Sequence, residues 1–292
     1  MTACWCPAVS PTLPGPRAST AAARSSCCIW KEFLMHNAIE PIIRRAARLM
    51  LDFADPAVYS KGRHADFVTE GDVAVQNFLI EELSKAFPTA CFLAEEGEDQ
   101  QLTDKFTFII DPIDGTTNYF RRRRCSMISI GVVEGKQPVF GMIYDPYRDE
   151  MYYAEPGKGS WCNDDRLHVA DMPFEKALIG FGTAPYYEEL FDVTGRAFAE
   201  LLPKVADIRR TGSACMDLCD VAAGRSDGHF EWRLQPWDYC AATLLVEEAG
   251  GQCGNILGGA VTYDKGIPHM AASARIFDQL QETLQTIWRE SR

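Results

Sequence analysis

Apolar residues recur at helical spacing over residues 37–53, where Ile39, Ile42, Ile43, Ala46, Leu49, Met50 and Phe53 fall on one face. A second amphipathic helix is predicted over 72–87, with Val75, Phe78, Leu79 and Leu83 on its apolar side and Pro88 as its stop. A polar, Gly-containing segment separates the two. Residues 106–110 form a short continuous apolar run, the pattern of a buried strand. Stretches 126–133 and 139–144 read as strands joined by a turn at Gly135, and 151–154 as another. Downstream, strand-like runs at 177–181 and 205–208 alternate with helical ones at 186–202, 214–223 and 238–248. A last amphipathic helix covers about 274–289. Such alternation predicts layered α/β structure. No repeat and no linker interrupts the chain after residue 35.

The first 34 residues break this pattern. They lack apolar periodicity, are frequent in Pro, Ala, Ser and Thr, and hold Cys4, Cys6, Cys27 and Cys28. No apolar core supports a secretory signal, while the Arg, Ser and Ala content loosely suits a transit peptide. The reading that fits best is a disordered extension, because clean patterning starts at Met35. The paired cysteines have no His/Cys partners at zinc spacing. The seven other cysteines are scattered in apolar context and read as reduced, buried thiols of a cytoplasmic protein.

Composition narrows the function. A hydrophobic share of 47% excludes a wholly disordered chain, and there is no uncharged apolar run of membrane-spanning length. The formal charge is −12, and the extension carries three basic residues against one acid, which leaves −14 on the remainder. Binding to nucleic acid or membrane by bulk charge is therefore not expected.

Carboxylates concentrate beside turn chemistry in three places: Glu95 and Glu96; Asp111 and Asp114 in the string D-P-I-D-G-T-T; and Asp238 at a helix start. In the second, Pro112 ends the strand and forces a turn, so Asp111 and Asp114 converge. Gly115-Thr116-Thr117 then offers backbone N–H groups that can cradle a phosphate. Acids beside a phosphate nest make sense if cations lie between them, and hard Mg²⁺ takes such oxygen donors.

In these residues the chain resembles the inositol monophosphatases, part of the magnesium-dependent, lithium-sensitive phosphatase superfamily that includes fructose-1,6-bisphosphatase. The string Asp111-Pro112-Ile113-Asp114-Gly115-Thr116-Thr117-Asn118 carries the likeness, with Trp237-Asp238, Ala241-Ala242 and Glu248-Ala249-Gly250-Gly251. Glu95-Glu96, the segment from Lys61 to Asp72 and Arg209 to Ala214 support it. The resemblance spans residues 35–292. It implies a layered α-β-α-β-α sandwich, with an α+β half over about 35–170 and an α/β half over 171–292. It implies two or three Mg²⁺ ions held by Glu95, Asp111, the Ile113 carbonyl, Asp114 and Asp238. Asp72 and Thr116, with Glu95, would orient and deprotonate the attacking water. Gly115 and Thr116 would bind the phosphate, Gly212, Ser213 and Ala214 would line the site, and Glu231 would contact a substrate hydroxyl. The implied activity is hydrolysis of inositol monophosphate or a similar sugar or polyol phosphate by a homodimer. Alternatives are fructose-1,6-bisphosphate, nucleotide-bisphosphate or histidinol-phosphate hydrolysis, or a binding protein that keeps the fold without turnover. Thr117-Asn118 favours the inositol over the nucleotide branch.

Simpler readings stand beside these. Asp72, Ser213 and Asp238 also suit helix caps. Lys61 is as well read as a solvated charge, and Glu247 and Glu248 as helix-surface charges. Two departures from the pattern are Gly97, where many relatives have Ser, and Arg121-Arg122-Arg123-Arg124, where they show His, an apolar residue and Pro. The arginines read as a solvated basic loop, with binding of a second anionic group as the sharper alternative.

Overall fold

The computed structural model describes residues 26–53, 56–97 and 102–292. The expectation of an extension therefore lies outside the described residues as far as residue 25. Helix α1 (Ser26–Asp52) starts ahead of Met35. It is followed by a hairpin, β1 (Val58–Ser60) and β2 (Phe67–Thr69), then α2 (Glu70–Ala86), β3 (Cys91–Ala94), β4 (Thr107–Asp114) and a short α3 (Thr116–Phe120). A meander follows: β5 (Met127–Glu134), β6 (Gln137–Asp145), β7 (Glu150–Glu155), β8 (Gly159–Cys162) and β9 (Asp165–Arg166). The second half holds β10 (Leu178–Phe181), α4 (Phe191–Leu201), β11 (Asp207–Arg209), α5 (Ala214–Ala222), β12 (Gly228–Leu234), α6 (Pro236–Glu248), β13 (Gly251–Asn255), β14 (Ile267–Ser273) and α7 (Phe277–Glu290).

Strands β3 to β9 form one sheet in sequence order, with β3 parallel to β4 and the rest antiparallel. The other large sheet runs β11-β10-β12-β14-β13, parallel across its first three strands. Helices α1 and α2 cover the outer face of the first sheet, α5 and α6 lie between the sheets, and α4 and α7 cover the far face of the second. The result is the α-β-α-β-α layering expected from the resemblance.

Burial on both faces explains why the strand pattern reads as continuous. Along β4, Phe108 and Ile110 enter the core under α1 and α2, while Ile109 enters the core shared with α5 and α6. Helix α6 lies so close to the first sheet that two strand positions must be glycine. A Cβ on Gly141 would stand 2.7 Å from the Ala241 carbonyl oxygen, and one on Gly131 would stand 2.7 Å from Cys240 Sγ. This close approach fixes the start of α6 against the sheet that carries Asp111 and Asp114.

Two local expectations differ from the structure. The strand at 106–110 does not end at Pro112: β4 continues to Asp114 through a register shift, in which Asp111 faces Ser129 and Asp114 faces Met127. Proline lacks the N–H that a regular ladder needs, and a bulge accommodates it without a turn. The helix expected over 186–202 divides into a 3₁₀ turn at Glu188–Leu190 and α4. Among the described residues no helix is long and apolar enough to cross a membrane, and Cys91, Cys125, Cys162, Cys215, Cys219, Cys240 and Cys253 are free thiols.

Candidate active site

The bulge in β4 decides where the acids point. Asp111 and Asp114 are buried, and their carboxylates meet that of Asp238, which α6 brings from the second half. One ligand atom from each of the three lies within 4.8 Å of the others. Asp111 Oδ1 accepts the Ile113 N–H at 3.0 Å, which folds the bulge back on itself. Asp114 Oδ2 accepts from the Ser213 hydroxyl and, at 2.9 Å, from the Cys215 N–H, and its Oδ1 accepts the Ala214 N–H at 3.3 Å. Asp238 Oδ2 accepts the Gln235 N–H at 2.6 Å. Ser213 and Ala214 therefore reach the site by bonding to Asp114.

These acids pay electrostatically for their convergence. Burial holds the Asp111 carboxyl well above its usual pKa, and the charges of Glu95, Asp114 and Asp238 add to the effect. Asp238 is raised in the same way, by burial and then by Asp114 and Glu95. Asp114 is pushed up to about 6 by burial, and its bonds to α5 limit the rise. Among the described residues, the basic group that pairs with this constellation is Lys61, and it pairs with Glu95 at 3.0 Å and Glu96 at 2.5 Å, not with the three aspartates. Glu95 stands beside the trio, in the turn after β3, where its N–H bonds to the Ile110 carbonyl.

Asp72 and Thr116 are also brought together. Thr69 caps α2 and Asp72 reaches back to it, accepting the Thr69 N–H at 2.8 Å and its hydroxyl at 2.5 Å. The other oxygen, Oδ1, lies 3.2 Å from Thr116 Oγ1, which is also 3.3 Å from the Ile113 carbonyl. Burial pushes Asp72 up to about 6, against the pull of Thr69. Gly115 begins α3 in the left-handed region at φ 82°, where a Cβ would stand 3.0 Å from the Cys125 carbonyl. Asn118 braces this turn on the Cys125 carbonyl at 2.8 Å and ties it to the second half through the Thr211 carbonyl at 3.1 Å.

A cavity of about 600 Å³ joins these pieces, with Asp114, Asp238, Gly115, Thr116, Gly212 and Glu231 in its wall. Ser213 and Ala214 line it too. Glu231 stands in β12, apart from the trio, where its Oε1 accepts the Ala184 N–H at 2.7 Å. Burial pushes it up to about 7, opposed by that bond and by Arg210.

The sequence did not single out Gly182 or Asp217, and it gave Lys61 and Glu248 plainer readings beside their place in the motifs. Lys61 is a half-buried clamp on Glu95 and Glu96, not a solvated charge: burial disfavours its ammonium, yet the two glutamates hold its pKa above the usual value. Gly182 leaves room for Glu231, since a Cβ there would overlap its carboxylate. Asp217 lines the cavity and is pushed up to about 8 by burial. Glu248 is a strap, not a surface charge, and accepts the Gly157 and Gly159 N–H groups at 2.6 and 2.8 Å. Gly182 directly follows the apolar run at 177–181.

The family model described as the inositol monophosphatase family matches residues 33–289. An inositol-1-monophosphatase of Rhizobium meliloti (strain 1021) is 36% identical over 265 residues, covering 86% of this chain and 96% of that protein. The Nus factor SuhB of Escherichia coli (strain K12) is 39% identical over 201 residues, 66% of this chain and 73% of that one. Among solved structures, the extragenic suppressor protein SuhB of Bartonella henselae superposes with a TM-score of 0.77 at 34% identity, covering 85% of this chain and 97% of the other. With the layered fold and the acidic convergence in place, the chain belongs to the inositol monophosphatase family.

Proposed function

We propose that the protein is a Mg²⁺-dependent phosphomonoesterase that hydrolyses inositol monophosphate or a similar small sugar or polyol phosphate. The observation that carries this reading is the meeting of Asp111, Asp114 and Asp238, with no basic side chain of the described residues paired to any of them. Buried carboxylates of like charge are costly unless paired, and all the donors are hard oxygens. That chemistry fits Mg²⁺, held by Glu95, Asp111, the Ile113 carbonyl, Asp114 and Asp238, with room for two or three ions. Bound magnesium would supply Lewis-acid polarisation of the phosphate, a lowered pKa for water and neutralisation of charge on the leaving oxygen.

The chain's own groups do the rest. Thr116 Oγ1 gives its proton to Asp72 Oδ1, which leaves its lone pairs to accept a proton from the attacking water. Asp72, raised to about 6, is poised to hold that proton near neutral pH. The Gly115 and Thr116 N–H groups bind the phosphate, and Glu231 holds a substrate hydroxyl. The decisive experiment is phosphate release from a panel of sugar and polyol phosphates with Mg²⁺ and with EDTA. Metal-dependent release from inositol or sugar monophosphates is expected. Release from none would favour a binding protein that keeps the fold, the reading the Nus factor relative raises.

A further inference from the structure

The mouth of the cavity carries charge opposite to its floor. Arg121 and Arg123 project from the loop after α3, and Arg210 and Arg233 come from the β11 end and β12 of the second half. All four line the cavity that holds Asp114 and Asp238. Elsewhere many arginines sit in ion pairs, Arg44 with Asp149 and Arg225 with Glu150 among them. At the mouth, no carboxylate of the described residues lies within 4.0 Å of any of the four guanidinium groups. Arg233 stacks on the Tyr187 ring at 4.8 Å, and Arg210 faces Glu231 only through its field.

The loop is built, not loose. The Arg122 N–H bonds to the Tyr119 carbonyl and the Arg123 N–H to the Asn118 carbonyl, both at 2.9 Å. This is a Schellman turn with Arg122 at φ 58° where glycine is usual. The turn brings Arg121 and Arg123 to the cavity, while Arg122 and Arg124 are not in its wall. Asn118, inside the same turn, is bonded to the second half, so the two arginines are held over the cleft. In a chain of net charge −12, this local excess of unpaired guanidinium groups does not follow from composition.

We propose that Arg121 and Arg123, flanked by Arg210 and Arg233, bind a second phosphate on the substrate, so that the preferred ester is a bisphosphate of a small sugar or polyol. The proposal rests on the phosphatase reading and deepens it. One phosphate reaches the acidic floor with its cations, and the guanidinium groups engage the other in charge-assisted, bidentate fashion. A neutral polyol end would leave these groups unmatched.

The test compares kcat/KM with Mg²⁺ for a hexose 1,6-bisphosphate and the matching hexose 1-phosphate, in wild type and in Arg121→Ala/Arg123→Ala. The wild type should prefer the bisphosphate, and the double variant should lower the ratio of the two values by roughly 10- to 100-fold. Its loss should appear as a raised KM for the bisphosphate. Arg121→Lys/Arg123→Lys should restore part of the ratio, because charge returns without the fork. A ratio that the Ala variant leaves unchanged, or a wild-type preference for the monophosphate, overturns the subsite while leaving the phosphatase reading intact. Release from neither ester overturns the subsite, and release from none of the wider panel, inositol monophosphate included, overturns the phosphatase reading as well.

Discussion

Replacing Asp114 by Asn should separate what the acid does for the fold from what it does for the cation. The carboxylate is pushed from 3.8 up to about 6 in the folded chain. A folded pKa raised above the unfolded one means that stability is lost as pH rises through the window from about 4 to 6. Above that window the ionised group costs the metal-free protein about 3 kcal/mol. Asn carries no charge and escapes the cost. It keeps one carbonyl oxygen, which can still accept from Ser213 and the Cys215 N–H, but its amide faces the Ala214 N–H and loses that weaker bond. The loss is about 1–2 kcal/mol. Without metal, Asp114→Asn should therefore be as stable as wild type or more so by about 1–2 kcal/mol. The response to Mg²⁺ should move the other way. At a hundredfold excess over Kd, a bound ion stabilises the wild type by about 2.7 kcal/mol, a rise of roughly 5–10 °C for a protein of this size. In the variant most of that rise should vanish, and turnover should fall by at least ~100-fold. Thermal melts in EDTA and in Mg²⁺, with phosphate release on the same samples, check all three. A variant with the full Mg²⁺ shift and near-normal turnover refutes the cation role. One that is several kcal/mol less stable in EDTA shows that Asp114 serves chiefly to cap α5.

Asp217, pushed up to about 8 by burial, should make the metal-free protein lose stability as pH rises from about 4 to 8, by up to about 1.4 kcal/mol per pH unit for each such group; melts in EDTA at pH 6 and 8 should show a steeper fall in wild type than in Asp217→Asn, and equal slopes would remove Asp217 from the account. Gly182→Ala places a Cβ on the Glu231 carboxylate, whose flexible end must leave the Ala184 N–H; KM should rise several-fold with kcat less affected, and an unchanged KM would argue that Glu231 touches no substrate. Gly141→Ala drives a Cβ into the Ala241 backbone, which cannot swing aside; chemical denaturation should report a loss of about 3 kcal/mol or more, and a neutral result would mean that α6 rides less tightly on the sheet.

Legibility varied with how local each signal was. The helix at 37–53 and the strand around 106–110 were plain because each follows one periodicity. The positions of Asp111, Asp114 and Asp238 were readable from the strings that hold them, and the likeness those strings carry gave the layering. β12 and β14 left no pattern: Gly228–Leu234 is buried at every position but Arg233, so no alternation marks it, and its partner β14 is distant in sequence. Lys61 stayed open between a solvated charge and a site residue because its environment is made by Glu95 and Glu96, which are distant from it in sequence. Two of the cavity's arginines, Arg121 and Arg123, were visible within a run of four, while Arg210 and Arg233 were not. Which of that run face inward depends on a turn that places an Arg at positive φ, a choice composition does not reveal.

The sequence set a capping role beside a site role for Asp72, Ser213 and Asp238, and the structure shows the helix-start contacts of all three. Thr69 and Gln235 occupy the N-cap positions, with Asp72 and Asp238 as the third residues that reach back to them. Ser213 caps α5 and bonds Asp114 as well. Three helices thus begin at the acidic centre, and their N-termini oppose the repulsion among the carboxylates. The magnitudes show why this is not enough. A helix start contributes about 0.3–1 kcal/mol toward a nearby anion, while burying a carboxylate costs several kcal/mol. Capping therefore keeps the metal-free fold intact with its acids held at raised pKa values, and it leaves an uncompensated charge that cations can relieve. Because Asp111 and Asp114 lie in one half and Asp238 in the other, Mg²⁺ bound there as proposed would bridge the two halves. On that proposal, removing any of the three aspartates should weaken metal binding and, with it, the metal's hold on the two halves.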